Sequence, residues 1–204
     1  VSITDFRFAE RLGYTIKLLS VIRADDAARV EVRTQPTLVP LSHVLASVSG
    51  SYNAVLVNGD VVGETLFYGR GAGQDHTSSS VISDLCEAAA ILIHGPRNSG
   101  FVPHGLYGKS KPIDETVSRY YLRLTVDDQP GVLAQVARLL GDRGIGISSV
   151  IQPDDLSDTT GSTALVLMLD DAPLGVARAD VEAIQALPCV QQKPAWIRVE
   201  TLLG

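Results

Sequence analysis

Two groups of residues in this chain have types and spacings suited to chemistry. The first is the run Gly69-Arg70-Gly71-Ala72-Gly73 with Thr77 shortly after it. Backbone amides can touch a ligand only where no Cβ intervenes, so Gly69, Gly71 and Gly73 could present amides to a nucleotide or other anion. The usual phosphate-binding fingerprints do not fit. A dinucleotide fold needs an acidic residue about 20 positions beyond its glycines, and Asp84 comes too early and inside an expected helix. A phosphate-cradling loop ends in Gly-Lys-Ser/Thr, whereas Gln74 and Asp75 follow Gly73 here. On spacing alone the run reads as a tight connection between a strand and a helix.

The second group is Asp127-Asp128-Gln129-Pro130-Gly131-Val132-Leu133. Here a helix is expected to begin, with Asp128 as its cap and Pro130 near its first position, where the missing N–H is not wasted. Free amides and the positive end of the helix dipole favour a carboxylate, and Gly131 lets a ligand come close. Asp127 or Asp128 could meet an amino group. The same residues can also do no more than cap the helix and shape its turn.

Other chemistry finds less support. His43, His76, His94 and His104 show no H-x-x-x-H spacing and Cys86 has no C-x-x-C partner, so no metal site is expected. Cys86 and Cys189 are expected to be buried, reduced thiols of a cytoplasmic protein. His43 is expected at a helix start or turn rather than as a base. The formal charge of −6, from 17 basic and 23 acidic residues, argues against nucleic acid, which demands clustered cations. Lys109, Lys111 and Lys193 are accordingly expected to be solvated. No apolar run approaches the ~18 residues of a membrane span, and no secretory signal is evident. Val1 is not an initiator methionine, so the chain is expected to be part of something longer.

The elements that must hold these groups can be read from periodicity. Ile3, Phe6, Ala9 and Leu12 mark a helix over 2–14, and 15–23 with 28–34 read as a hairpin turning at Asp25-Asp26 and broken by Pro36 and Pro40. A second hairpin, 53–57 with 61–68, is expected to turn at Asn58-Gly59-Asp60. A helix over 77–93 carries Val81, Leu85, Ala88 and Leu92. Gly, Pro, Ser and Lys then mark a linker through Pro112. Beyond it, Leu122, Leu124 and Val126 alternate as a strand. Val132, Leu133, Val136, Leu139 and Leu140 form one apolar stripe of a helix ended by Gly144. Ile145, Ile147, Ser149 and Ile151 open a second strand and 162–169 a third. A second helix runs over 176–187 until Pro188. A fourth strand covers 190–199, interrupted by Pro194. The order β-α-β-β-α-β is that of a ferredoxin-like fold, two helices on one face of a four-stranded sheet.

The pattern Leu124, Val126, Asp128, Pro130, Gly131, Val132, Leu133, then Gly144, Ile145, Ile147, resembles the ACT domain family over about the last 85 residues. That resemblance implies a module that binds a small amino acid and alters the activity of a neighbouring enzyme. Asp127, Asp128, Gly131, Val132, Leu133 and Ile147 are the effector-site candidates. The first half carries Pro36-Thr37-Leu38-Val39-Pro40, then His43, Leu45 and Ala46, Asn53-Ala54-Val55, Gly59-Asp60, and Tyr68-Gly69 through Gly73. In order and spacing these resemble the C-terminal portion of the bacterial homoserine dehydrogenase family.

The resemblance implies an α+β chain. A mixed-sheet, partial substrate and dimerisation domain occupies 1–108, a linker 109–118, and a ferredoxin-like βαββαβ ACT domain 119–204. It implies NAD(P)-dependent interconversion of L-homoserine and L-aspartate 4-semialdehyde, in threonine and methionine biosynthesis, with the cofactor held mainly by an N-terminal domain outside this sequence. Gly69, Gly71, Gly73 and Thr77 map onto the family's nicotinamide-side loop, from which Arg70 and Asp75-His76 depart. The family's catalytic lysine and aspartate lie ahead of the segment that begins here, so no catalytic residue is assigned, and the chain alone is expected to be inactive. Threonine is the expected effector, and a homo-oligomer, at least a dimer, the expected assembly. The other functional class is an amino-acid sensor that uses the ACT module without catalysis.

Overall fold

The computed structural model describes residues 1–25, 29–95, 109–152 and 161–201. In chain order its first elements are α1 (Ile3–Arg11), β1 (Tyr14–Ala24), β2 (Val30–Pro40), β3 (Tyr52–Gly59), β4 (Gly63–Arg70) and α2 (Gln74–His94). There follow β5 (Val117–Asp127), α3 (Val132–Asp142), β6 (Ile147–Ile151), β7 (Ser162–Pro173), α4 (Leu174–Gln185) and β8 (Ala195–Val199). His104 and the early part of the expected linker lie outside the described residues.

The chain divides into two compact units, one of Val1–Ser42 with Leu106–Gly204, the other of His43–Gly105. The boundary expected near residues 109–118 is therefore not where the packing divides. Residues 1–42 are built into the same body as the C-terminal module.

That body holds a six-stranded sheet in the order β1-β2-β8-β5-β7-β6. The last four strands and the helices α3 and α4 make the ferredoxin-like unit. Alternation along β5 and β7 sends Tyr120, Leu122, Leu124, Val126, Leu165 and Leu167 to one face, where Val132, Val136 and Leu140 of α3 and Ala177, Val181 and Ile184 of α4 cover them. The intervening residues point the other way. Tyr121, Val166, Met168 and Ile197 meet Phe8 and Ala9 of α1. Phe8 is 1% exposed, a burial that contributes about 2 to 3 kcal/mol. The sheet is thus covered on both faces rather than on one.

The β1-β2 hairpin extends the sheet because β2 runs parallel to β8, Thr37 opposite Arg198 and Leu38 opposite Val199. Pro36 does not break β2 as expected. Only Thr37 and Leu38 of β2 are paired with β8, so at Pro36 the strand has its single partner in β1 and one side on which a missing donor is tolerated. Pro194 does stop β8, which begins at Ala195; Val190 pairs with β5 through an isolated bridge to Val126.

Buried charges tie the hairpin to the sheet. Arg33 donates to Glu31 at 2.5 Å and to Glu200, and Arg198 donates to Thr116. All five of these residues are less than 9% exposed. The segment before β5 is held as well. Lys111 lies 3.6 Å from Asp25, Arg29 2.7 Å from Glu115, and Arg178 of α4 2.7 Å from Asp114. Lys111, expected to be solvated, is an ion-pair partner whose side chain is only 18% exposed.

The second unit is a β3-β4 hairpin with α2. Its register pairs Gly59 with Gly63, so the turn is Asp60-Val61-Val62 and falls later than the expected Asn58-Gly59-Asp60. The residue with positive φ is Gly63, at 70°, a left-handed conformation that glycine takes without steric cost where the chain leaves the turn. Cys86, expected to be buried, is exposed on α2, whereas Cys189 is buried.

Candidate effector cleft and glycine loop

The turn from β5 into α3 opens a cavity of about 320 Å³ lined by Val126 to Leu133, Gln152, Thr163 and Leu165. Of the effector-site candidates, Asp127, Asp128, Gly131, Val132 and Leu133 line it. Ile147 does not. It lies on β6 and packs against the helix-covered core.

The cleft has its shape because the chain makes a series of short bonds before committing to helix. Asp127 N–H donates to Cys189 O at 2.9 Å, Gln129 N–H to Asp127 O at 2.9 Å, and Asp128 N–H to Gly161 O at 3.0 Å. The N-cap of α3 is Gly131, with φ of 91°, and no side chain caps it. Asp128 therefore does not perform the expected cap, because Gly131 intervenes in a left-handed conformation that costs other residues about 1 to 2 kcal/mol. Val132 N–H donates to Gln129 O at 3.4 Å and Gln135 N–H to Gly131 O at 3.1 Å, and the amides of the first helical turn, Leu133 and Ala134, have no carbonyl within the helix to bond. The Asp127 carboxylate is fixed by Gln191 Nε2, which donates to Oδ1.

This arrangement sets two carboxylates and the amides of a helix start beside the apolar side chains of Val132, Leu133 and Leu165. It is suited to a small zwitterion, amide N–H groups facing a carboxylate and acidic oxygens facing an ammonium. Gln152, Thr163 and Leu165 also line the cleft and are not among the residues that the sequence offers for a site. Thr163 and Leu165 share one face of β7, and their strand alternation was a usable signal; Gln152, which follows β6, carried none.

The glycine loop belongs to the other unit. Gly69 is the penultimate residue of β4, with no atom within 4 Å of where a Cβ would stand. At Gly71 a Cβ would fall 1.8 Å from Asn53 Nδ2. Gly73 is the N-cap of α2 with φ of 130°, and Thr77 N–H donates to its carbonyl at 3.1 Å. Arg70 is engaged within the hairpin. Its Nε donates to Tyr52 OH at 3.1 Å and its guanidinium lies 5.4 Å from the Tyr52 ring centroid, while Tyr52 and Tyr68 stack at 4.8 Å. His43 caps a 3-10 turn over Val44–Ser47, its Nδ1 accepting from Leu45 N–H at 3.1 Å. It is a turn residue, as its position suggested.

Among the described residues no group of three or more His, Cys, Asp or Glu side chains could hold a metal ion. None of the helices described is long and apolar enough to cross a membrane.

A ferredoxin-like sheet with a cleft at its first strand-to-helix turn, joined to a hairpin, loop and helix unit, defines an α+β protein. Residues 1–86 match the family model for homoserine dehydrogenase and residues 120–187 that for the ACT domain. Homoserine dehydrogenase of Neisseria gonorrhoeae is 39% identical over 97% of this chain and 46% of its own length. That of Synechocystis is 37% identical over 98% and 47%. The crystal structure of a homoserine dehydrogenase from Thiobacillus denitrificans superposes with a TM-score of 0.81 at 36% identity, covering 97% of this chain and 45% of that one. A Staphylococcus aureus homoserine dehydrogenase gives 0.59 at 28% identity, covering 100% and 46%. The chain belongs to the homoserine dehydrogenase family and carries that family's domain together with an ACT domain. It spans about half the length of the curated relatives it matches.

Proposed function

We propose that this chain supplies the C-terminal part of an NAD(P)-dependent, cytoplasmic homoserine dehydrogenase, which interconverts L-homoserine and L-aspartate 4-semialdehyde. The chain by itself is inactive in this reading, because the lysine and aspartate to which the resemblance assigns catalysis have no counterpart within it. The Gly69 to Gly73 loop and Thr77 approach the nicotinamide side of a cofactor held mainly elsewhere. Support for the loop's role comes from the match of residues 1–86, which include it, to the homoserine dehydrogenase family model.

The ACT module binds a small amino acid, L-threonine, in the cleft between Val126 and Leu133 and thereby regulates the enzyme as a homo-oligomer, at least a dimer. The single observation that carries this reading is the cleft at the start of α3, where Gly131, Asp127 and Asp128 meet around about 320 Å³. Titration calorimetry of the chain with L-threonine tests it. Saturable heat, lost in Asp128→Ala or Gly131→Val, is expected; no heat at millimolar ligand would remove the proposal. Homoserine oxidation by the 204-residue chain would overturn the assignment of catalysis elsewhere.

A further inference from the structure

The strands that floor the cleft also carry α1 on their reverse side. Along β7, Thr163 and Leu165 line the cleft, while Ala164 and Val166 belong to the core beneath α1. Along β5, Val126 and Asp127 line the cleft, while Tyr121 and Arg123 reach α1. Period-two alternation along β7 thus puts the two sites on opposite faces of one strand.

The contact with α1 is more than apolar cover. Asp5 of α1 is fully buried. Its Oδ1 accepts from Arg123 Nε at 2.6 Å and from Tyr121 OH at 3.2 Å. Its Oδ2 accepts from Ser2 N–H at 2.6 Å and Ser2 Oγ at 2.9 Å, closing the capping box that starts α1. One carboxylate thus both begins the helix and fixes it to the ACT sheet. The pair crosses from the segment that matches the dehydrogenase model to the segment that matches the ACT model.

We infer that docking of α1 on the sheet and occupation of the cleft are one linked equilibrium, with Asp5 and Arg123 as its latch. This rests on the reading of the cleft as an amino-acid site. A close-packed sheet transmits small changes of pleat from one face to the other. A ligand that fixes Val126, Asp127, Thr163 and Leu165 therefore favours the strand geometry that seats Asp5 on Arg123. Linkage is reciprocal, so releasing the latch weakens the ligand by the same factor.

Hydrogen–deuterium exchange on the whole chain, with L-threonine as the probe, reads both sites at once. Slower exchange in the cleft residues 126–133 and also in residues 3–12 is expected, by about fivefold in each. Protection of the cleft with no change over residues 3–12 would overturn the linkage while leaving the cleft reading intact. No change at either place would remove both. In Asp5→Asn the threonine Kd is expected to rise about fivefold, whereas in Arg138→Ala, an exposed change on α3, it stays unchanged. A folded Asp5→Asn chain with the wild-type Kd would also overturn the linkage.

Discussion

Arg33 on β2 donates a hydrogen bond to Glu200, 167 residues away, and both side chains are at most 4% exposed. Glu200 also accepts from Arg23 at 2.7 Å, and its N–H donates to Leu38 O at 2.9 Å. The residue after β8 thereby closes the junction at which the N-terminal hairpin joins the ACT sheet.

Removing one partner of a buried pair costs up to about 3 to 5 kcal/mol, and without Glu200 the buried Arg33 keeps only Glu31 of its two carboxylates. Glu200→Ala is therefore expected to lower the urea unfolding midpoint strongly. Arg178→Ala, which removes an ion pair whose side chains are about half exposed, should cost less than about 1 kcal/mol. Equal midpoints for the two variants would show that the junction carries no special stability.

Asp5 sets a dependence on pH. Burial alone would raise its carboxyl, but the bonds from Arg123 and Ser2 more than reverse this, so its pKa lies below the ordinary 3.8. A carboxyl with a depressed folded-state pKa stabilises the native state above its unfolded pKa, and the contribution is lost as pH falls through the folded value. The stability deficit of Asp5→Asn is expected in full at pH 7 and should shrink as the pH drops below about 4. A deficit independent of pH between 7 and 2 would mean that the carboxylate charge is not what holds α1.

Gly71 and Asn53 offer a double-mutant test. Gly69→Ala meets open space and should stay within about 0.5 kcal/mol of the parent. Gly71→Ala drives a methyl into Asn53 and should cost about 1 to 3 kcal/mol. In the Gly71→Ala, Asn53→Ala double variant most of that loss should return. Thermal unfolding of the parent, Gly69→Ala, Gly71→Ala, Asn53→Ala and the double variant checks it, and strict additivity of the 53 and 71 changes would exclude the close contact.

The two cysteines give a simple chemical check. A thiol reagent should modify Cys86 quickly in the native chain and Cys189 only after denaturation, since one is exposed and the other buried. Two fast thiols, or none, would contradict their placement.

Much of this was legible in the residues. The stripe of Val132, Val136 and Leu140 and the alternation of Leu122, Leu124 and Val126 gave the ACT elements nearly to their ends, because one-sided burial imposes a period on the chain. Turn chemistry pointed to Asp127, Asp128 and Gly131, whereas Val132 and Leu133 entered as candidates through the resemblance to the ACT family. What could not be read was non-local. Nothing near Pro36 says that β2 will lie beside β8, and nothing near Asp5 says that Arg123 will meet it 118 residues later. Asp128 was expected to cap α3, but a positive φ at Gly131 is a tertiary outcome that moved the cap three positions along. The hairpin turn moved for a similar reason, as Gly63 rather than Gly59 takes the left-handed conformation.

The most direct test of the central claim, that the cleft at the start of α3 is an amino-acid effector site, is calorimetric titration of the whole chain with L-threonine. Binding of one ligand per cleft is expected, abolished by Gly131→Val and preserved in Gly69→Ala. Absence of binding at millimolar threonine, or binding that survives Gly131→Val unchanged, would contradict it.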